Sequence, residues 1–255
     1  MTRNRHPDDG NTPLARRLAT IVSLEAEDRR ALDRLARDPR DFPKGTELIE
    51  VGDEETMPFV LLDGFVTVSR SGHDGDRMIV DLLIPGDLAN IRSIVLERTD
   101  MFYVSVSDVT LSRFVPKVYH ELLTGRPRLG TALVFAGAVD RSLLAERLYS
   151  IGRRSGYQRL GHFLLELLIR MERAGLAEGH SFRAPLTLAT LADLLGMTLE
   201  HVSRLMQRLR RNGLIRTDRD RTEIVDVDAL AKACGFDPSY LHGTERPKPL
   251  QELPV

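Results

Sequence analysis

Residues 187–213 run Thr-Leu-Ala-Thr-Leu-Ala-Asp-Leu-Leu-Gly-Met-Thr-Leu-Glu-His-Val-Ser-Arg-Leu-Met-Gln-Arg-Leu-Arg-Arg-Asn-Gly. The stretch divides into two short helices about a glycine. Thr187 can cap the first, whose Leu188, Leu191, Ala192 and Leu195 share an inner face, and Gly196 stops it. Thr198 can cap the second, with Val202, Leu205 and Leu209 inward and Asn212–Gly213 as its end. Two short helices joined through a Gly-containing turn are the signature of a helix-turn-helix.

The second helix carries the chemistry. Glu200, Ser203, Arg204, Gln207 and Arg208 stand at i, i+3, i+4, i+7 and i+8, opposite the apolar stripe. Arg204 can donate to both O6 and N7 of a guanine, Glu200 can accept from the N4 amine of a cytosine, and Ser203 can serve several bases; these three are the expected base readers. Thr187, Thr198, Gln207, Arg208, Arg211 and Arg216 are expected on the DNA backbone, among further arginines at 210, 219 and 221. Such phosphate contacts fix register without reading sequence. Leu214–Arg216 and Thr222–Val225, separated by polar residues, predict a hairpin wing. The competing reading of this face is plain solvated helix surface.

Upstream, a helical pattern runs without a breaker from Pro127 to about Gly152, roughly 38 Å of rod at ~1.5 Å per residue. One apolar stripe holds Leu129, Leu133, Ala136 and Leu143; the adjoining one holds Val134, Gly137, Leu144, Leu148 and Ile151. Both need covering. One stripe can pack on the domain before it and the other on a second copy of the same helix, with Leu129, Leu133, Val134, Gly137, Leu144, Leu148 and Ile151 as the dimerisation set. Burial of the whole helix within one chain is the alternative. Between rod and helix-turn-helix, residues 156–174 predict another amphipathic helix ended by Gly175.

Further upstream the texture is short apolar runs cut by Gly, Asp and Pro: Glu47–Val51, Pro58–Leu62, Phe65–Ser69, Met78–Ile84, Tyr103–Val106 and Thr110–Val115. A compact β jelly roll satisfies their turn signals, which include Asp63–Gly64 and a hairpin tip at Ser71–Gly75. Two short helices are expected ahead of it, between Pro13 and Ala36. The fold class is thus α+β. Its predicted parts are an N-terminal β-roll sensor or effector domain over 1–125, a dimerisation helix over 126–153, a winged helix-turn-helix over 154–236 and a flexible tail over 237–255.

The 255 residues carry a net charge of −1, so any basic surface must be local. The single cysteine, Cys234, leaves no intramolecular disulfide framework and no Cys-ligated cluster within one chain. The first residues lack the apolar run of a signal peptide, and the longest apolar run, Thr131–Val139, is too short to span a bilayer. A cytoplasmic protein with no membrane partner is expected.

These features resemble the CRP/FNR superfamily of bacterial regulators over nearly the whole chain, from about Leu14 to Val227. The carriers are Phe42-Pro43-Lys44-Gly45, Val51-Gly52-Asp53, Phe59 to Gly64 and Pro85-Gly86-Asp87, followed by a long helix and a winged helix. Glu200-His201-Val202-Ser203-Arg204 looks like the Glu-x-x-Ser-Arg pattern of the FNR and FixK branches. The resemblance implies a cyclic-nucleotide-binding-like β roll and a homodimer on an inverted repeat of TTGA-type half-sites. On those sites Arg204 would meet the guanine, Glu200 its cytosine and Ser203 a thymine. It also implies contact with RNA polymerase.

The departures are as informative. Nucleotide-binding members have a Gly-Glu-Leu turn and an Arg-Ser/Thr pair for ribose and phosphate; here stand Gly86-Asp87-Leu88 and Thr99-Asp100, with Arg98 one residue early. An acid where a phosphate should sit argues against a cyclic nucleotide. The N-terminal cysteine cluster of oxygen-sensing members is lacking too. No cofactor is required by this reading, although haem ligation by a histidine stays open. The seven histidines show no metal-ligand spacing and read as surface or helix-flanking residues. His73-Asp74-Gly75-Asp76 reads as a turn rather than a calcium loop. No nucleophile, base and orienter converge, so no enzyme is expected. The rival from another class is a small-molecule module, for a cyclic nucleotide or haem, in which ligand capture is primary.

Overall fold

The computed structural model describes residues 11–53, 56–72, 77–96 and 99–241. Residues 73–75 of the predicted tip, Asp76, Arg98 and the tail beyond 241 lie outside them. The described residues divide into two compact units, those within 11–66 and 83–138 in the first and those within 67–82 and 139–241 in the second.

Thr12 caps α1 (Pro13–Ala19), its hydroxyl accepting the Ala15 amide, with Pro13 in the first turn where no amide donor is needed. A reciprocal capping box between Glu25 and Asp28 opens α2 (Ala26–Asp33). Eight strands follow: β1 (Pro39–Phe42), β2 (Glu47–Ile49), β3 (Phe59–Asp63), β4 (Val66–Ser71), β5 (Arg77–Leu83), β6 (Leu88–Ala89), β7 (Phe102–Ser105) and β8 (Val109–Arg113). Three helices come next, α3 (Pro116–Gly125), α4 (Pro127–Arg153) and α5 (Gly156–Arg173). The chain then forms β9 (Ala177–Glu178), β10 (Ser181–Arg183), α6 (Leu188–Leu195), α7 (Leu199–Arg211), β11 (Ile215–Asp218), β12 (Arg221–Ile224) and α8 (Val227–Cys234), and closes on a 3-10 turn at Pro238–Leu241.

In the first unit an antiparallel sheet runs β1-β8-β3-β6, and β2 pairs with β7. One apolar cluster joins Leu14 and Leu18 of α1, Leu32 of α2, Val60 of β3, Leu122 of α3, and Leu129, Leu133 and Ala136 of α4. This corrects the dimerisation set: Leu129 and Leu133, 1% and 2% exposed, are covered by their own chain and offer nothing to a partner. Val134, Leu144 and Leu148 remain 55%, 54% and 73% exposed, Gly137 opens on free space and Ile151 is half-buried.

In the second unit β11-β12-β10-β9 form the wing sheet, with Ile215 opposite Ile224. A capping box between Ser155 and Gln158 starts α5, which buries Leu160, Phe163, Leu164, Leu167, Leu168 and Met171, the predicted face. Behind it lies a buried ionic cluster. Arg147 of α4 hydrogen-bonds Asp81 of β5 and reaches Glu166 of α5 at 3.3 Å; Arg154 pairs with Glu146 at 2.6 Å. Glu166 also accepts the Tyr240 hydroxyl at 3.0 Å.

Two expectations fail here. The predicted flexible tail is docked at its start: Leu241 is 1% exposed, its carbonyl accepts from Arg173, and Tyr240 reaches Glu166. His162, read as surface-like, is buried and rings with Phe236 and Tyr240 at centroid distances of 4.7 and 5.6 Å. Both misreadings share a cause: the aromatic residues that cover His162 lie about 75 positions downstream, where no local periodicity announces them. Among the described residues no helix is long and apolar enough to cross a membrane, and no group of His, Cys, Asp and Glu could hold a metal.

Candidate nucleic-acid interface

The helix-turn-helix is built as its sequence asks, except that Leu188, expected on the inner face of the first helix, is exposed and Leu194 is buried in addition. The Thr187 hydroxyl accepts the Thr190 amide at 3.0 Å and the Thr198 hydroxyl accepts the His201 amide at 3.2 Å. Gly196 ends α6 at φ 61°, a left-handed conformation that side chains resist, and its amide returns to the Ala192 carbonyl. Leu191, Ala192 and Leu195 of α6 are buried, as are Val202, Leu205, Met206 and Leu209 of α7. Gly156 permits a close approach: a Cβ there would lie 2.5 Å from His201 Nε2 and 3.0 Å from Met197 Sδ.

The outer face of α7 has the predicted composition. Glu200, Arg204, Gln207, Arg208 and Arg211 are exposed and Ser203 is half-buried. Among the described residues, Glu200 and Arg204 hold no ion pair or hydrogen bond within the chain through their side chains. Arg208 lies over the Tyr157 ring, 4.6 Å from its centroid, which leaves the rim of the guanidinium to donate elsewhere. Glu200 in the first turn and Arg208, Arg210 and Arg211 in the last suit the helix dipole.

The other cations are more occupied than the sequence indicates. Arg210 donates to the Thr217 hydroxyl at 2.9 Å, Arg216 lies 3.4 Å from Glu223, and Arg221 donates to the Ser181 hydroxyl at 2.7 Å. Thr187 and Thr198, predicted on the DNA backbone, already use their hydroxyl oxygens as caps, and the Thr187 hydroxyl also shares a hydrogen bond with the Thr190 hydroxyl at 2.9 Å. Sequence reasoning missed Tyr157, which orients Arg208, and Arg159, which donates to the Leu195 carbonyl at 2.6 Å behind the turn.

Residues 158–233 match the family model described as Crp-like helix-turn-helix domain, and residues 39–125 match the one described as Cyclic nucleotide-binding domain. The chain is a CRP/FNR-superfamily transcription regulator. It is 26% identical to the transcriptional activator protein FnrL of Cereibacter sphaeroides, over 89% of this chain and 92% of that one. To the nitrogen fixation regulation protein FixK of Bradyrhizobium diazoefficiens it is 28% identical, over 84% and 90% of the two chains. The solved structure of FixK2 from Bradyrhizobium japonicum superposes with a TM-score of 0.66 at 18% identity, covering 76% of this chain and 96% of that one. These likenesses put the regulator in the FNR/FixK branch, whose named members are regulators rather than enzymes, and establish the β domain, long helix and helix-turn-helix order of the fold.

The match to a cyclic nucleotide-binding domain directs attention to Asp87 and Asp100, at the positions that the family likeness gives to ribose and phosphate. Asp87 is buried, pairs with Arg17 of α1 at 2.8 Å and accepts the Ile84 amide at 2.8 Å. Asp100 pairs with Arg92 at 2.8 Å. Gly86 beside Asp87 is packed so closely that a Cβ would lie 2.7 Å from the Pro13 carbonyl oxygen.

Proposed function

We propose that this regulator acts in the cytoplasm as a homodimer on an inverted repeat of TTGA-type half-sites, with Arg204 on the guanine, Glu200 on the paired cytosine and Ser203 on a neighbouring thymine. The observation that carries the reading is the Glu200–Arg204 face: charged groups, exposed, without side-chain partners among the described residues, at the spacing a major groove accepts. Thr187, Thr198, Gln207, Arg208, Arg211 and Arg216 supply the backbone contacts. The partner copy lies along α4, where Val134, Gly137, Leu144, Leu148 and Ile151 recur at alternating three- and four-residue steps, with exposed Arg141 in line. A two-fold pair of recognition helices asks for half-sites about 34 Å apart, hence a palindrome. Contact with RNA polymerase follows from the family likeness. The reading needs no cyclic nucleotide and no haem, and the ion pairs of Asp87 and Asp100 weigh against ligand capture as the primary act.

The test is selection from a random duplex pool at near-physiological salt, where phosphate attraction alone does not dominate, with sedimentation of the free protein beside it. A recovered TTGA-type inverted repeat and a dimeric species are expected. A non-palindromic motif, or no enrichment, overturns the reading.

A further inference from the structure

The α4–α5 joint is made by very few residues. After Arg153 the chain passes only Arg154 and Ser155 before α5 begins. A helix C-terminus leaves carbonyls without amide partners, and α4 and α6 both end near this point. The guanidinium of Arg159 serves both. One terminal nitrogen donates to the Leu195 carbonyl at 2.6 Å and lies 3.4 Å from the Gly196 carbonyl; the other donates to the Ile151 carbonyl at 2.9 Å and lies 3.3 Å from the Arg154 carbonyl. A cation thus sits between the negative ends of two helix dipoles. Burial lowers its pKa from the ordinary guanidinium value.

The surroundings leave the joint little freedom. Glu146 and Arg147 of α4 are tied to Arg154 and Glu166, and Gly156 lets His201 of α7 pack against the start of α5. The cavity lined by Arg147, Arg159, His162 and Glu166 is about 20 Å³, room for one water and not for an effector. Arg159 itself is remote in sequence from the base readers and belongs to neither the base-reading nor the backbone set.

We infer that Arg159 is the positioning residue that sets the angle between the long helix and the recognition helix, and through it the half-site spacing the regulator accepts. The inference rests on the proposed dimer along α4, because only a pair of rods carries a spacing. A spacer changed by one base pair displaces one half-site by about 3.4 Å and turns it by about a tenth of a turn. A rigid joint refuses that change; a loose one follows it. Lysine at 159 keeps the charge but can reach carbonyls with one compact head only, so it cannot span two helix ends.

The experiment measures binding of the full chain to the selected repeat and to repeats lengthened and shortened by one base pair, for wild type, Arg159→Lys and Arg159→Gln, with thermal melting of each. Wild type is expected to lose about tenfold or more with an altered spacer, and the variants to bind all three spacers within about threefold while losing about tenfold on the preferred one, the scale of a lost charged hydrogen bond. Base preference within each half-site stays unchanged. Variants that discriminate spacers as wild type does overturn the inference alone; a wild type indifferent to spacing overturns the dimer reading and the inference with it. If both variants are unfolded at the assay temperature, Arg159 is a folding residue and the inference falls.

Discussion

The outer face of α7 and the back of α5 use the same two kinds of side chain, arginine and carboxylate, in opposite ways. On α7, Glu200 and Arg204 are exposed and make no ion pair with each other although they stand one helical turn apart. Behind α5, Arg147, Glu166 and Arg154 are largely buried, and Asp81 and Glu146 complete their pairs. Burial decides the difference. A charge taken from water must be matched within the chain, so it fixes geometry, whereas a charge left in water keeps its hydrogen-bonding capacity for another molecule. The pair of regions predicts opposite consequences for mutation: the buried set should govern stability and leave sequence preference alone, and the exposed set should do the reverse.

The largest effect is expected from Glu166→Ala. Glu166 is 2% exposed and receives Arg147 and the Tyr240 hydroxyl, and removing it leaves the buried Arg147 guanidinium with one of its two carboxylate partners. Urea unfolding should show a loss of about 3–5 kcal/mol, with the selected DNA sequence unchanged. A loss below about 1 kcal/mol would mean that water reaches the cluster, and the contrast with α7 would collapse.

His162 sharpens the comparison through pH. Burial chiefly, and then Arg154, depress its pKa from 6.5 to about 4, with Glu146 opposing; the groups around it are Glu146 and Arg154 and the rings of Phe236 and Tyr240. The folded imidazole therefore refuses a proton that the unfolded chain takes up below 6.5. Stability is complete above that value and falls as pH drops toward about 4, by at most about 1.4 kcal/mol per pH unit from this group. Asp81 acts lower in the scale. Burial would raise its carboxyl, but Arg147 and Arg170 outweigh burial and hold it below 3.8, so its contribution is lost only as pH falls beneath that. Unfolding measured from pH 7 to 4.5 should slope for wild type and flatten for His162→Phe, and equal slopes would take the titration away from His162.

Arg204→Ala tests the exposed set. Discrimination at the guanine should fall by about 1–3 kcal/mol while binding to unrelated sequence is kept and unfolding is unaltered. Competition with half-sites carrying each base at that position is the measurement. A variant that loses affinity evenly over all sequences would make Arg204 a phosphate contact.

Much of this contrast was legible in the sequence, and unevenly. The α7 face could be read because its signals are local: caps at Thr187 and Thr198, a stop at Gly196 and apolar residues at helical spacing. The strands were found where Gly, Asp and Pro bracket them, but β1 at Pro39–Phe42, burial pattern mostly exposed, has no apolar alternation to reveal it. Leu129 and Leu133 were given to a partner because one rod carries two stripes and periodicity does not say which is covered from within. The buried cluster was invisible, since Asp81, Arg147, Glu166 and Tyr240 are far apart in the chain. Arg159 did leave a trace: a cation in the first turns of a helix stands against the dipole, which points to partners beyond its own helix.

The smallest effect belongs to Arg216, and it divides the exposed set itself. Arg216 is exposed on β11 and already faces Glu223 of β12 at 3.4 Å, an ion pair of a class that contributes little to stability. As a phosphate contact it must leave or share that carboxylate, so its part in affinity is smaller than that of an unpaired arginine. Arg216→Ala should therefore weaken binding to all sequences about equally and reduce the slope of log affinity against log salt by about 1 or less. Glu223→Gln should act in the opposite direction, because it releases the guanidinium. Titrations of both variants over a range of salt are the check: base-dependent losses would move Arg216 among the readers, and an unchanged salt slope in both would confine the arginine to the wing's own structure.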